Sequence, residues 1–333
     1  MDARLSMLND WQHGFPLNAR PFATIAEVLR TSEDQVIATY AQALADGSVS
    51  RIGGVFAHGA GGDAVLAAMA VPPERLEAVA AQVSAHPGVN HNYAREHRIN
   101  LWFVLTGASR AQVEISLRHL ETRTGLPALC LRMVRPYRID LGFDLRHAVA
   151  HRPMREHGHA APRPLRPTDW PLASLVEEGL TLTGRPFEAW ARRLALTEAG
   201  VIDTLSHWLD SGRLKRFGVV VRHHELGFGA NAMTVFDVPD DQVDACGQAL
   251  AAQAGVTLAY RRTRHPAWPY NLYAMVHGRQ RDVVRAVIDR VTDAAGLGAC
   301  PREVLFSTAR YKQMGGRRFR NPQVSEVQHA VAG

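Results

Sequence analysis

From Glu33 to Gly47 the apolar residues Val36, Ile37, Tyr40, Ala43 and Leu44 recur at steps of three and four. That spacing places them on one face of a helix. Thr31 and Ser32 stand where a helix cap belongs, and Gly47 stands where a helix stops. The pattern returns in EAGVIDTLSHWLDSG, Glu198 to Gly212, behind Thr197. Each helix leads into a short basic segment with strand character, SRIGGVFA in one place and KRFGVVVRH in the other. Helices followed by such a strand predict a winged helix-turn-helix. Further on, the pattern predicts strand, helix, strand, strand, helix, strand. The segments are AVLAAMAV, PPERLEAVAAQVSAH, VNHNYAREH, NLWFVLTG, SRAQVEISLRHLETRTG and LCLRMVRPYRI. The same order recurs as NAMTVFDV, PDDQVDACGQALAAQAG, VTLAYRRTR, NLYAMVHG, RQRDVVRAVIDRVTDAAG and EVLFSTARYKQ. This is the ferredoxin-like βαββαβ order. The predicted class is α+β, as a tandem duplication of a winged helix-turn-helix plus a ferredoxin-like domain.

The duplication is visible directly. Arg20–His58 and Arg185–His223 align without a gap and share Arg-Pro-Phe, a valine, two glycines, a basic residue and the closing histidine. A period this long marks duplicated domains rather than a solenoid. The expected organisation is a winged helix over 1–60, a ferredoxin-like domain over 61–146, a linker over 147–169, a second winged helix over 170–224, a second ferredoxin-like domain over 225–320 and a tail over 321–333. The linker is rich in Pro, His and Arg. Its His151, His157 and His159 read as solvated residues. The halves differ where it matters for chemistry. Ala57 stands where the second half has Arg222, and only the second half carries the insertion RRTRHPAWPY.

Composition narrows the class without deciding it. The chain has 333 residues, 46% hydrophobic and 21% charged, with a formal net charge of +6. A mild positive balance suits an anionic partner, whether nucleic acid or a small polycarboxylate. Cys130, Cys246 and Cys300 are far apart and form no Cys-x-x-Cys pair, so neither a zinc site nor a disulfide framework is indicated. They read as buried free thiols. MDARLSMLNDWQHG has no apolar core with a cleavage site. No apolar run is long enough to span a bilayer. The expected location is the cytoplasm, with no membrane partner. GAGG at Gly59–Gly62 lacks the lysine of a phosphate loop.

A winged helix-turn-helix followed by a ferredoxin-like domain resembles the Lrp/AsnC regulators. GRLKRFGVVVRHHELGFGANAM, RPFEAWARRLALTEAGVIDTL, RRTRHPAWPYNLYAMVHG and HNYAREHRINLWFVL are similar to the siroheme decarboxylases of heme d1 and alternative heme biosynthesis, here with two related subunits fused in one chain. The resemblance implies removal of the carboxyl groups of two acetate side chains of siroheme, giving didecarboxysiroheme. It implies no organic cofactor, since the substrate carries its own iron, and no metal of the protein's own. The two halves are expected to pair within the chain, with further assembly left open.

Charge distribution separates an enzyme from a DNA reader. The helices from Ser32 and from Thr197 carry Glu33, Asp34, Asp46 and Glu198, Asp203, Asp210, with no Lys or Arg between. Acids facing phosphates would oppose binding. In a first turn they favour the helix dipole. The cations lie elsewhere: Arg95, His97 and Arg98 in the first half, Arg261, Arg262, Arg264 and His265 in the second, and Arg222, His223 and His224 at the wing exit. Arginine forks suit carboxylates. Trp268, Tyr270, Phe228 and Tyr260 could pack on the faces of a flat macrocycle. Trp102 and Tyr273 read as core, and His91, His119, His207 and His277 as packing or surface residues. Decarboxylation needs a proton donor near neutral pKa, for which histidine is suited. His223 and His97 are therefore expected as general acids or axial contacts to the substrate iron, and the arginines as anchors. The alternatives are a DNA-binding regulator, a non-catalytic heme sensor and an amino-acid-sensing regulator.

Overall fold

The structure, a computed structural model, describes residues 3–139, 145–146 and 163–319. The first half supplies α1 (Ala3–Asp10), α2 (Pro21–Leu29), α3 (Glu33–Ala45), β1 (Val49–Phe56), β2 (Asp63–Met69), α4 (Leu76–Ala85), β3 (Val89–Arg95), β4 (Leu101–Gly107), α5 (Arg110–Thr124) and β5 (Ala128–Ile139). The second supplies α6 (Trp170–Glu178), α7 (Pro186–Leu194), α8 (Glu198–Asp210), β6 (Leu214–Val221), β7 (Ala230–Phe236), α9 (Val243–Ala251), β8 (Val256–Arg262), β9 (Leu272–Gly278), α10 (Arg281–Ala294) and β10 (Arg302–Gln313). The linker histidines His151, His157 and His159 and the tail from 321 lie outside the described residues. Among the described residues no helix is long and apolar enough to cross a membrane.

The described residues form two compact units, and each half contributes to both. One holds 3–62, 163–226 and 317–319; the other holds 63–139, 145–146 and 227–316.

In the winged-helix unit the repeated Arg-Pro-Phe has a local cause. Pro21 and Pro186 open α2 and α7, where a missing N–H breaks no bond and a fixed φ suits the helix. Phe22 and Phe187 are buried beneath them. Arg20 and Arg185 pair with Glu33 and Glu198, the first residues of α3 and α8. Ser32 Oγ accepts from Gln35 N at 3.2 Å, and Thr197 Oγ1 from Gly200 N at 3.0 Å. The first-turn acids thus serve the helix starts and their arginines. Strand β1 pairs antiparallel with β6, and Gly53 sits opposite Gly218, its own counterpart in the repeat. The local two-fold relation of the halves passes through this pair. Both positions require glycine. A Cβ on Gly53 would lie 2.6 Å from Val176 O, and one on Gly218 2.4 Å from Trp11 O. The close approach lets Leu180 N donate to Ile52 O at 2.7 Å and Val219 N to Trp11 O at 2.9 Å.

The other unit is a closed barrel of order β10-β3-β4-β2-β5-β8-β9-β7. Each half keeps the ferredoxin-like order, but its last strand crosses to the partner half: β5 pairs with β8 and β10 with β3. Closure leaves no edge strand. Side chains alternate between the faces. Val65, Ala67 and Met69 of β2 pack with residues of α4 and α5. Leu66 and Ala68 face the interior with Trp102, Leu131, Met233, Val235, Tyr260, Tyr273 and Leu305. The core of this unit is therefore built jointly by both halves.

Candidate active site

The residues singled out in the barrel unit sit where β3 and β8 end. Asn100 and Asn271 fix the turns that follow. Asn100 Oδ1 accepts from Val71 N at 2.9 Å and its Nδ2 donates to Val71 O at 2.9 Å. Asn271 does the same with Val238 at 3.0 and 2.9 Å. Arg264 ties the longer second loop together. It donates to Pro269 O at 2.8 Å and Val238 O at 2.6 Å, and pairs with Asp237 and Asp240 at 2.9 and 2.7 Å. Arg261 pairs with Asp240 at 3.0 Å and lies 3.6 Å from Asp244. These acids reach the arginines through strand and helix packing, which explains why the sequence did not single them out.

Arg95 and Arg262 point into the barrel and are 7% exposed. Arg95 Nη1 donates to Leu305 O at 2.9 Å, and Arg262 Nη1 to Leu131 O at 2.8 Å. Each thus clamps the last strand of the other half. Arg98 is different: it is exposed and makes no hydrogen bond or ion pair with the described residues. Arg222 belongs to the winged-helix unit. Its main-chain N donates to Ser48 O at 2.8 Å, and its Nε is buried with no partner among the described residues.

The aromatic loop turns its tryptophan inward. Trp268 is 1% exposed and its Nε1 donates to Tyr273 OH at 2.8 Å. Its ring meets His97, Trp102 and Tyr270 edge-on at 5.2, 5.1 and 4.8 Å. Tyr260 is buried beside Tyr273, and Phe228 is buried beneath Arg279. Trp268, Tyr260 and Phe228, expected on macrocycle faces, are therefore buried in the protein's own interior. For Trp268 and Tyr260 the reason is the barrel itself, whose joint core takes in both rings. Tyr270 stays partly exposed, and Trp102 and Tyr273 are core as expected.

His97 Nδ1 accepts from Ile99 N at 3.0 Å, and His265 Nδ1 from Ala267 N at 3.1 Å. A neutral ring held this way carries its proton on Nε2. Partial burial holds His97 below the ordinary histidine value of 6.5, with Glu303 opposing and Arg98 assisting. An iron ligand has the opposite arrangement, donating through one nitrogen to free the other. His223 and His224 open a 3₁₀ turn, His223–Leu226, after β6. Their side chains lie outside the described residues. Among the other histidines, His277 is buried against Thr257 Oγ1 at 2.8 Å.

Comparison with known proteins adds what geometry cannot. A family model for a siroheme decarboxylase NirDL-like HTH domain matches residues 6–49, and one for an AsnC-like ligand binding domain matches 60–138 and 225–312. A siroheme decarboxylase NirDL subunit of Paracoccus pantotrophus is 41% identical over 324 residues, covering 94% of this chain and 96% of its own. The chain belongs to the siroheme decarboxylase family. Another siroheme decarboxylase, the NirD subunit of Stutzerimonas stutzeri, is 52% identical over 139 residues, covering 42% of this chain and 91% of its own. One half of the present chain thus corresponds to a separate subunit elsewhere in the siroheme decarboxylases. The crystal structure of the siroheme decarboxylase NirDL in co-complex with an iron-uroporphyrin III analogue superposes with a TM-score of 0.67 at 28% identity, covering 99% of each chain.

Proposed function

We propose that this chain decarboxylates siroheme, converting two acetate side chains to methyl groups. The observation that carries the reading is the 41% identity, over nearly the full length of both proteins, to a siroheme decarboxylase. Each step breaks one C–C bond and releases carbon dioxide. The electron pair left behind is shared with the macrocycle, and a proton then completes the methyl group. No oxidant and no organic cofactor is needed, and the iron belongs to the substrate.

His97 and His223 are proposed as the proton donors. The Nδ1 contact of His97 supports proton transfer through Nε2 rather than iron ligation. Arg98 and Arg222 are proposed as anchors for carboxylates that do not react. An arginine gripping the reacting acetate would stabilise the ground state and slow its loss. Arg261 and Arg264 hold the loop that carries Trp268 and Tyr270, with His265 in its turn, so they act on substrate indirectly. Arg95, Arg262 and Tyr260 act from the barrel interior. His224, adjoining His223, is proposed to contact substrate.

The deciding experiment is anaerobic incubation of the purified chain with siroheme, followed by mass measurement of the pigment. Loss of two carboxyl groups is expected. Bound but unchanged pigment would make the protein a tetrapyrrole sensor, and no binding would reject the reading altogether.

A further inference from the structure

The last strand of each half lands on a helix of the other. β5 and β10 are counterparts, and their registers match: Pro136 stands opposite Tyr260 as Arg310 stands opposite Tyr93, and Arg138 opposite Ala259 as Lys312 opposite Asn92. Both strands carry a tyrosine followed by a basic residue near their ends. The tyrosine hydroxyl donates to an acid in the first turn of the helix it meets: Tyr137 to Asp244 of α9, and Tyr311 to Glu77 of α4 at 2.7 Å. The basic residue donates to a carbonyl near the other end of that helix. Arg138 Nη1 reaches Ala251 O at 3.2 Å and Lys312 Nζ reaches Ser84 O at 2.7 Å, where the helix dipole favours a cation.

The two landings are alike but not interchangeable. Val71–Val89 and Val238–Val256 align without a gap, which makes Ala80 the counterpart of Gly247 and Glu77 that of Asp244. Gly247 is buried against the Tyr137 ring. A Cβ at this position would lie 2.2, 2.5 and 2.6 Å from three ring atoms, far inside van der Waals contact. The ring is held where it is. Its hydroxyl is bound by Asp244, its strand is fixed by pairing with β8, and the Arg135 guanidinium lies 5.7 Å from its centre while pairing with the same Asp244 at 2.7 Å. On α4 the Cβ is present: Ala80 is fully buried, and Tyr311 packs against the cluster that contains it. A ring over alanine stands further from the helix axis than one over glycine, and Glu77 is longer than Asp244 by one methylene. Glycine goes with the short acid and alanine with the long one. Ala309 stands on β10 where β5 has Arg135.

We propose that these matched pairs, Gly247 with Asp244 and Ala80 with Glu77, make the crossing selective, so that the notch at Gly247 is a recognition site for the last strand of an unlike half. α9 takes β5, and α4 takes β10. In a pair of two first halves β5 would land on α4, with a tyrosine fitted to glycine set against the Ala80 Cβ. In a pair of two second halves β10 would land on α9, its ring fitted to alanine and its Ala309 leaving Asp244 without the Arg135 bridge. Specificity of this kind comes from a clash built against the wrong partner as much as from contacts with the right one. The inference concerns assembly and stands whether or not the decarboxylase reading does.

The test has two arms, both on the full chain. In the first, Gly247→Ala is expected to lower the melting temperature by about 3–6 °C. In a Tyr137→Leu background the same change is expected to be neutral or to raise it, because alanine is the better helix former once the ring is gone. In the second arm the chain is cleaved within 147–162 after folding. Two preparations whose first halves carry different affinity tags are mixed in mild urea, so that halves exchange, and returned to buffer. Wild-type protein is expected to give no discrete species of pair size that holds both tags. Ala80→Gly combined with Glu77→Asp, which gives α4 the features of α9, is expected to raise that species at least about tenfold, roughly the effect of 1.4 kcal/mol. This arm does not use Gly247→Ala and so decides even if that variant fails to fold. Like pairs as abundant in wild type as in the α4 variant, or a Gly247→Ala loss that is the same with and without the Tyr137 ring, would overturn the proposal.

Discussion

Arg30 and Ala195, counterparts in the repeat, both hold left-handed backbone with φ of 54° at the ends of α2 and α7. A side chain in that region costs roughly 1–2 kcal/mol, and glycine avoids the clash at some entropic cost. Ala195→Gly should therefore stabilise the protein by about 0.5–1 kcal/mol, seen as a melting temperature higher by about 2 °C; a lower one would refute the argument. The proton donor proposed above, His97, belongs to the same scale. Its pKa is depressed below 6.5, chiefly by burial, so the protonated ring is the minor species at pH 7 and a stronger acid than usual. If that ring delivers the proton, kcat should rise as pH falls from 8 and level off below 6.5. His97→Ala should lower turnover about 10²–10⁴-fold and flatten the profile while iron-uroporphyrin still binds. A variant with the wild-type profile would remove His97 from the chemistry. The sequence showed which residue types cluster after β3 and β8. It did not show that Asp237 and Asp240 engage Arg264, or that Trp268 turns inward, because those outcomes depend on contacts made by distant segments.

At the scale of elements, the strands and long helices were legible to within a few residues because alternation and three–four spacing are local signals. α1 and α6 were not individually visible, since helices of eight and nine residues leave little pattern. Arg318 and Phe319 also escaped notice. Phe319 packs 4.7 Å from Phe56, and Arg318 N donates to Glu177 at 2.9 Å, partners far away in sequence. The β1–β6 ribbon depends on glycine at its centre. Gly53→Ala or Gly218→Ala forces a Cβ against main-chain oxygen and should cost about 1–3 kcal/mol; urea unfolding unchanged from wild type would contradict this. His86 caps α4. Its Nδ1 accepts from Gly88 N at 3.1 Å, and Lys312 Nζ donates to His86 O. Burial first, then His119, Lys312 and Arg123, depress its pKa below 6.5. The unfolded chain therefore binds the proton more readily. The stabilisation is complete above about pH 6.5 and is lost as pH falls through the folded value. Stability should drop between pH 7 and pH 5, and His86→Asn should show a shallower drop.

Across the whole molecule, the duplication was readable but the mode of pairing was not. Repeated sequence shows that two halves are alike; it does not say which strand crosses over. Among the described residues, strands of the two halves pair at β1–β6 and, in the barrel, at β5–β8 and β10–β3. A half on its own would expose β1, β3 and β5, or β6, β8 and β10, with unpaired main chain along each. It would also lose the aromatic interior, which draws residues from both halves. Unpaired edges of this kind seek another strand. The chain should therefore tolerate a break but not the loss of a half. Expressed together as separate polypeptides divided within residues 147–162, the halves should co-purify and retain the decarboxylation proposed for the intact chain. Their melting temperature should rise with protein concentration, as association demands, whereas that of the intact chain should not. Expressed alone, either half should self-associate or aggregate. A single half that remains a cooperatively folded monomer, with the melting temperature of the full chain, would show that the crossed strands do not hold the fold together.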